Sequence, residues 1–360
     1  MKSKAKQFNT AMNTKDKKEH MTHISKKLKT TPTTFMLTQE CKEGDILEEK
    51  LMKEEALEMV LPYRQYPEMP MVEICVDSVE SAIAARDGGA HQVEVCSALS
   101  EGGLTPSMGL VKEIIRHVQP EGVTVSVMIR PRGGDFLYSP TEILVMKQDI
   151  AMFREAGVDS FVIGVLRPDG EVDKDLLLQF IEEIRTQDYA PKITFHRAFD
   201  MSDPKKLNET LHFLYSAKVD RILTSGFTAS APEGKKELKS INDEVIKMQA
   251  ADTDHKMVIM AGAGININNV LDILNSTNVG AIHVASGVTK NFPSSMSWQQ
   301  KSVSMGSASG SKEYSQTKVV TEEVQLLTQR IYHAKVGSKK KTPFSSATPH
   351  STYHDVSCYN

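Results

Sequence analysis

Cysteine is scarce in this sequence, with only four in 360 residues. They are Cys41, Cys75, Cys96 and Cys358, and no two of them have the C-x-x-C spacing. Zinc fingers need such closely spaced pairs, and small disulfide-stabilised domains need a higher density of cysteine. The sequence therefore excludes both classes and favours a fold that depends on a hydrophobic core.

Long apolar runs and an excess of charge of one sign are also missing. The chain has 43 Lys and Arg against 46 Asp and Glu, a net charge of −3, so it lacks the basic character typical of nucleic-acid binding. No apolar run is long enough to span a bilayer, and the N-terminus lacks the apolar core of a secretory signal. We expect a cytoplasmic globular protein with no nucleic acid and no membrane among its partners.

Both ends of the chain differ in composition from its middle. Residues 1–34 are polar and rich in lysine, which is typical of disordered segments. The apolar spacing from Met52 to Val60 predicts one short amphipathic helix. A second lysine-rich stretch, Lys339-Lys340-Lys341, follows near the C-terminus. The predicted regions are an extension (1–68), a main domain (69–336) and a disordered tail (337–360).

The main domain is organised around the segment that precedes Pro131. Val123, Val125, Val127 and Ile129 alternate with more polar residues, which predicts a strand. Pro131 ends it, and Ser139-Pro140-Thr141-Glu142 is a capping box that begins a helix. Arg130 and Arg132 thus lie at the carboxyl end of a strand that leads into a helix, where α/β folds place ligands. Surface ion pairs are the alternative, and for Arg132 the two interpretations are evenly balanced.

The strand–helix pattern repeats eight times. Eight such units in this length predict a (β/α)₈ barrel of the TIM type, with a last helix from about Thr321 to Ala334. An open doubly wound sheet is the alternative, but it needs a Gly-rich first turn, which Cys75-Val76-Asp77-Ser78 is not. The predicted strands are 71–75, 91–96, 123–130, 160–164, 192–196, 219–224, 257–261 and 281–284.

Alternation along these strands separates an apolar face from a polar one. If the apolar face meets the helices, the barrel mouth collects seven side chains: Glu73, Cys75, Glu94, Cys96, Arg130, His196 and His283. Unpaired buried carboxylates are costly, so we expect Arg130 and the histidines to neutralise Glu73 and Glu94. A purely structural ion network is the alternative to a functional site.

The same set suggests an enzyme acting on a small anionic metabolite, phosphorylated ones included. Arg130 and Arg132 would hold the anion, and His196 with Glu73 or Glu94 would move protons. Gly262 and Gly264 follow the seventh strand, where barrel loops commonly bind phosphate. Glycines are also needed simply to turn the chain. A third interpretation, a scaffold for partner proteins, leaves the mouth residues unexplained.

Cys75 and Cys96 end neighbouring strands on the same predicted face. Free cysteines most often behave as small buried hydrophobes, and this is the simpler interpretation for either one alone. Neighbouring strands are about 5 Å apart, however, so the pair could share a metal ion. Thiolates favour Cu(I) over harder ions.

Several motifs resemble the CutC family of copper homeostasis proteins from about Met71 to Ala334. The resemblance implies a TIM-type barrel and Cu(I) binding through Cys75 and Cys96. It also implies cytoplasmic and nuclear location and self-association as a homo-oligomer. The segments before Pro70 and after Gly337 depart from the family pattern, and residues 287–300 match it poorly. The motifs are Glu73-Ile-Cys-Val-Asp-Ser78, Glu94-Val-Cys-Ser97, Ser100-Glu-Gly-Gly-Leu-Thr-Pro106, Met128-Ile-Arg-Pro-Arg-Gly-Gly-Asp-Phe136, Phe195-His-Arg-Ala-Phe-Asp200 and Leu223-Thr-Ser-Gly226.

Overall fold

A computed structural model of the chain describes residues 69–299 and 314–339. The predicted extension up to residue 68, with its short helix, and nearly all of the predicted tail lie outside these residues. Among the described helices, none combines the length and the apolar character that crossing a bilayer requires.

Strands and helices alternate along the described chain. The strands are β1 Met71–Val76, β2 Gln92–Val95, β3 Thr124–Met128, β4 Ser160–Ile163, β5 Lys192–Phe195, β6 Arg221–Thr224, β7 Val258–Ala261, β8 Ala281–Val284, β9 Thr289–Pro293 and β10 Ser315–Val319. The α-helices are α1 Val79–Asp87, α2 Met108–Val118, α3 Pro140–Ala156, α4 Lys174–Ile184, α5 Leu207–Ser216, α6 Lys235–Ala251, α7 Val270–Thr277 and α8 Thr321–Lys339. The last helix thus continues past residue 336, the predicted end of the domain.

Strands β1 to β8 form a closed barrel in which each strand pairs in parallel with the next. Pairing of β1 with β8 completes the ring and places Glu73 opposite His283. The TIM-type barrel prediction is confirmed, and the open-sheet alternative is wrong because an open sheet has no such closing pair. β9 and β10 form a separate antiparallel pair between β8 and α8, which the sequence did not predict.

Local signals in the sequence account for the helix starts. Ser139 accepts a hydrogen bond from the Glu142 N–H while the Glu142 side chain accepts one from the Ser139 N–H, so the predicted capping box is confirmed. In the sequence, Thr105-Pro106 predicts the start of the second helix, and this prediction is wrong. Ser107 caps α2 instead, with its hydroxyl accepting from the Leu110 N–H, because α2 begins only at Met108.

The alternating pattern of the strands divides the barrel into two environments. Outward-facing residues such as Ile74 and Val127 are fully buried against the helices in one continuous cluster. Each buried aliphatic side chain of this kind contributes about 1.5–3 kcal/mol. The inward face instead carries buried polar residues: Glu73, Gln92, Glu94, Ser126, Ser160, Thr194 and Arg221. This polar interior leads up to the carboxyl ends of the strands.

Candidate functional site

A cavity of about 470 Å³ occupies the carboxyl end of the barrel, which we call the mouth. Its walls come from the strand ends and from the loops that follow β2, β3, β5, β7 and β8. Of the predicted site residues, six side chains or backbones line it: Cys75, Glu94, Arg130, His196, Gly264 and His283. TIM barrels place their ligands at this end.

Cys75 and Cys96 lie side by side at the base of this cavity. Their Sγ atoms are 3.8 Å apart, and both side chains are buried with Met128 and Val162 in a small cluster of their own. Cys96 Sγ also donates a hydrogen bond to Glu94 Oε2 at 3.4 Å. Only Cys75 of the two lines the cavity.

The two thiols differ in acidity. The hydrogen-bonded contact with Cys96 Sγ, together with the nearby His283, lowers the pKa of Cys75 to about 6 even though burial opposes this. The hydrogen bond with Cys75, burial and the charge of Glu94 raise the pKa of Cys96 well above its ordinary value. Cys75 is therefore the more acidic of the two thiols, and the thiolate is the form that binds metal.

Glu73 lies below the cysteines, in the interior of the barrel. Its carboxylate accepts from Gln92 Nε2 and is 2.7 Å from His283 Nδ1. Burial alone would raise the pKa of Glu73, but the hydrogen bond from His283 and the charges of His283 and Arg221 bring it below the ordinary value. Glu73 is fully buried and does not line the mouth cavity.

Glu94 is the carboxyl group that faces the cavity. Its Oε2 is 3.7 Å from His283 Nε2, whereas its Oε1 is buried without a hydrogen-bond partner. Burial, followed by the negative charges of Cys75 and Glu73, raises the pKa of Glu94 well above its ordinary value. The pKa of His283 is raised well above its ordinary value by Glu94, Cys75 and Glu73, against the effect of burial. His283 is thus the cation of this cluster.

The expectation that Arg130 neutralises Glu73 and Glu94 is wrong. Its guanidinium donates to three backbone carbonyls, at 2.7 Å to Glu101, 3.2 Å to Gly103 and 3.0 Å to Gly134. It makes no ion pair with any carboxylate in residues 69–299 and 314–339. These carbonyls belong to the loops after β2 and β3. The loops surround the guanidinium and hold it above the carboxylates.

Arg221 is the buried arginine that sequence reasoning missed. It donates to Gln92 Oε1 at 2.8 Å and to Ser160 Oγ at 3.0 Å, and its charge lowers the pKa of Glu73. Strand parity would have found it, because Arg221 and Leu223 alternate with Ile222 and Thr224 on β6. Arg221 lies at the start of β6, far from the mouth, whereas the predicted site drew on charged residues at the carboxyl ends of strands.

His196 has a fixed tautomer when its ring is neutral. Its Nδ1 accepts a hydrogen bond from the Ala198 N–H at 3.0 Å, so the ring proton must be on Nε2. That Nε2 is buried and has no hydrogen-bond partner among the residues that the structure describes. Burial, and then the charge of Arg130, lower the pKa of His196 to about 3. His196 is therefore a neutral donor on the cavity wall.

Arg132 lies outside the cavity. Its guanidinium pairs with Glu142 at 2.7 Å and Asp135 at 3.0 Å and donates to the Leu137 carbonyl at 2.6 Å. These contacts correspond to the surface ion-pair alternative and fix the loop between β3 and α3. Its predicted contact with an anion would require this set of bonds to open.

Gly262 and Gly264 occupy different positions at the end of β7. A Cβ on Gly262 would lie 2.5 Å from Leu223 Cδ1, so this glycine allows close packing inside the barrel. Gly264 has φ +73°, a conformation that favours glycine, and lines the cavity. A phosphate contact of either residue remains a prediction.

Two overlapping sets of side chains in this site have the spacing of metal ligands. The donor atoms of Cys75, Glu94 and Cys96 all lie within 4.8 Å of one another, as do those of Glu73, Glu94 and His283. The first set contains two sulfur atoms and suits a soft ion, whereas the second contains only oxygen and nitrogen donors and suits a harder one.

Comparison with known proteins relates the barrel to one protein family. The model of the CutC family matches residues 70–288, which include β1 to β8. The copper homeostasis protein cutC homolog of Homo sapiens is 42% identical over 246 residues, which are 68% of this chain and 83% of the human protein. The CutC family protein of Bacteroides fragilis strain YCH46 is 34% identical over 258 residues, 71% of this chain and 94% of that protein.

A solved structure agrees with this match. The CutC crystal structure from Streptococcus agalactiae is 28% identical in sequence and superimposes with a TM-score of 0.54. The alignment covers 60% of this chain and 98% of the other. The similarity is therefore confined to the barrel, which holds both buried cysteines.

Proposed function

Because this chain belongs to the CutC family, we propose that it is a copper homeostasis protein whose Cys75 and Cys96 bind Cu(I). The observation that supports this most directly is the 3.8 Å separation of the two Sγ atoms. At that distance one ion can contact both. The curated human relative carries copper homeostasis in its name.

The surroundings of the cysteines suit a soft monovalent ion. Thiolate is the preferred ligand of Cu(I), and both thiols are almost completely shielded from water. Met128 and Val162 pack around them, so that side of the pair is apolar. Cys75 faces the cavity, which provides a route for the ion between solvent and the pair.

A competition titration against a chromogenic Cu(I) chelator, under strictly reducing conditions, tests this proposal. We expect one Cu(I) per chain, and loss of tight binding in both Cys75→Ser and Cys96→Ser, because a hydroxyl is a hard and weakly basic replacement. Cys41→Ser and Cys358→Ser are matched controls and should bind like the parent. Unchanged affinity in the Cys75→Ser, Cys96→Ser double variant would refute the site.

A second candidate function, an enzyme acting on a small anionic metabolite, has a separate observation in its favour. Arg130 is 7% exposed and lines the cavity, and no carboxylate among residues 69–299 and 314–339 pairs with it. Mass spectrometry of the protein from its own cells, native and then denatured, would show which ligand it carries. Copper alone supports the first function, and an organic anion supports the second.

Location and assembly are proposals that follow from the family resemblance. The cytoplasm and nucleus are the proposed locations, and a homo-oligomer is the proposed state. Fluorescence microscopy of the tagged full-length chain and light scattering of the purified protein test them.

A further inference from the structure

We propose that Arg130 and His196 form a carboxylate-binding subsite for a small organic acid on the wall of the mouth cavity. This rests on the second function above, an activity on a small anionic metabolite, and names its ligand class. Arg130 follows β3 and His196 follows β5, and both line the cavity while being 7% and 3% exposed. The subsite is distinct from the cysteine pair, which belongs to β1 and β2.

Arg130 retains unused donors that point to a missing partner. A guanidinium has five N–H donors. Nη1 uses two on the carbonyls of Glu101 and Gly103, and Nη2 uses one on the carbonyl of Gly134. Nε is buried and has no hydrogen-bond partner in the described part of the chain, so the Nε–H and one N–H of Nη2 remain. Two donors on a planar guanidinium match the two oxygens of a carboxylate.

His196 adds a third donor of fixed direction. Its Nδ1 is occupied by the Ala198 N–H, so Nε2–H is available, and that nitrogen has no partner. A buried donor without a partner costs about 1–3 kcal/mol. A ligand oxygen that accepts from His196 and from Arg130 would remove both costs. Because His196 donates while neutral, it adds no charge to the subsite.

Phe136 connects the two donor groups. Its ring centroid is 4.9 Å from that of His196 and 5.1 Å from Arg130 Cζ. The ring lies on the loop between β3 and α3 and also lines the cavity. Its position beside both groups makes the ring part of the subsite.

The charges around the cavity favour a monoanion over a phosphate. Glu101 and Asp200 also line it, and Arg197 is already paired with Asp200 at 2.8 Å. Among the described residues that line the cavity, Arg130 is therefore the cationic group without an ion pair. A phosphate carries about −1.5 to −2 at pH 7 and three oxygens, which is more charge than this subsite neutralises. A carboxylate matches both the charge and the number of donors.

Nuclear magnetic resonance of the full chain labelled with ¹⁵N-histidine tests the proposal, with pyruvate and inorganic phosphate as probes. Pyruvate should move the His196 Nε2–H resonance downfield and slow its exchange with water, and phosphate should not. Arg130→Lys and His196→Asn should weaken pyruvate binding at least about tenfold, the size of one charge-assisted hydrogen bond. Asn retains an acceptor for the Ala198 N–H but is too short to place a donor at the position of Nε2. Arg116→Ala, which removes an exposed arginine of α2 that does not line the cavity, should bind like the parent.

Other outcomes overturn the proposal. Absence of any shift at millimolar pyruvate does so, as does phosphate binding equal to pyruvate binding, or pyruvate binding that His196→Asn leaves unchanged. If Arg130→Lys does not fold, His196→Asn still tests whether the subsite binds pyruvate. The Cys75→Ser, Cys96→Ser variant should retain pyruvate binding. If pyruvate binds but the protein turns over no organic acid, the proposed enzyme activity is refuted and the proposed subsite is still supported.

Discussion

His283 Nδ1 lies 2.7 Å from Glu73 Oε1, across the two strands that close the barrel. The carboxylate is fully buried and the imidazole is 12% exposed. Both pKa shifts favour the charged forms, so the contact is a buried ion pair. The same imidazole contacts Glu94 through its other nitrogen at 3.7 Å. The base of the candidate site therefore depends on one histidine.

Loss of that histidine should destabilise the fold. His283→Gln leaves the buried Glu73 charge with Gln92 and Arg221 as its remaining partners, and removal of one member of a buried pair costs about 3–5 kcal/mol. Urea denaturation followed by circular dichroism measures this change in the free energy of unfolding. The Glu73→Gln, His283→Gln double variant should recover part of the loss, because it also removes the carboxylate charge that His283→Gln leaves without its histidine.

An exposed ion pair provides the control for this comparison. Arg116 and Glu113 are 2.9 Å apart with side chains 70% and 45% exposed, and such pairs contribute about 0–1 kcal/mol. Arg116→Gln should therefore change the free energy of unfolding little. Equal effects of Arg116→Gln and His283→Gln would contradict the assignment of a buried ion pair.

His196 predicts a specific dependence of stability on pH. Its pKa is about 3 in the folded chain and about 6.5 when unfolded. Burial and the charge of Arg130 cause this lowering, so between these values the unfolded chain binds one more proton. Stability from this residue is complete above pH 6.5 and is lost as pH falls below it, with a slope of about 1.4 kcal/mol per pH unit.

The difference between the parent and His196→Asn isolates this contribution from that of other groups. The free energy of unfolding, measured by urea denaturation from pH 5 to pH 8, should converge between the two proteins as pH falls. A difference that stays constant across this range would show that His196 is not held neutral by the fold.

Two glycines should respond in opposite ways to replacement by alanine. A Cβ on Gly287 would lie 2.1 Å from the Ile265 carbonyl oxygen, whereas a Cβ on Gly109 meets nothing within 4 Å. Gly287→Ala should cost about 1–3 kcal/mol through overpacking. Gly109→Ala, within α2, should stabilise the protein by up to about 1 kcal/mol. Thermal denaturation measures both, and a stabilised Gly287→Ala would contradict the close backbone contact between the loops after β7 and β8.

The sequence predicted the barrel well because its strands have a simple pattern. Each has apolar residues on the helix-facing side, such as Val125 and Val127 on β3, and the predicted limits differ from the observed ones by only a few residues. The pair β9 and β10 lacks that pattern. Their residues are mostly exposed and polar, so no alternation of hydrophobicity marks them as strands.

The site was only partly predictable for a different reason. Strand parity placed Cys75, Glu94 and His196 on the inward face, because that face depends only on position along a strand. The partners of Arg130 are carbonyl groups of loops, and the sequence does not specify where a loop carbonyl points. The predicted pairing of Arg130 with Glu73 and Glu94 was wrong for this reason. The tautomer of His196 likewise depends on a backbone group, the Ala198 N–H.

The pairing of β1 with β8 also has a consequence for synthesis of the chain. Glu73 and His283 are 210 residues apart in sequence. The ribosome therefore adds Cys75 and Cys96 long before it adds His283, the cation that pairs with Glu73. Until β8 is added, a nascent barrel has an open edge on β1 and a carboxylate without its cation. Closure of the ring is then the step that brings His283 to Glu73 and completes the buried ion pair.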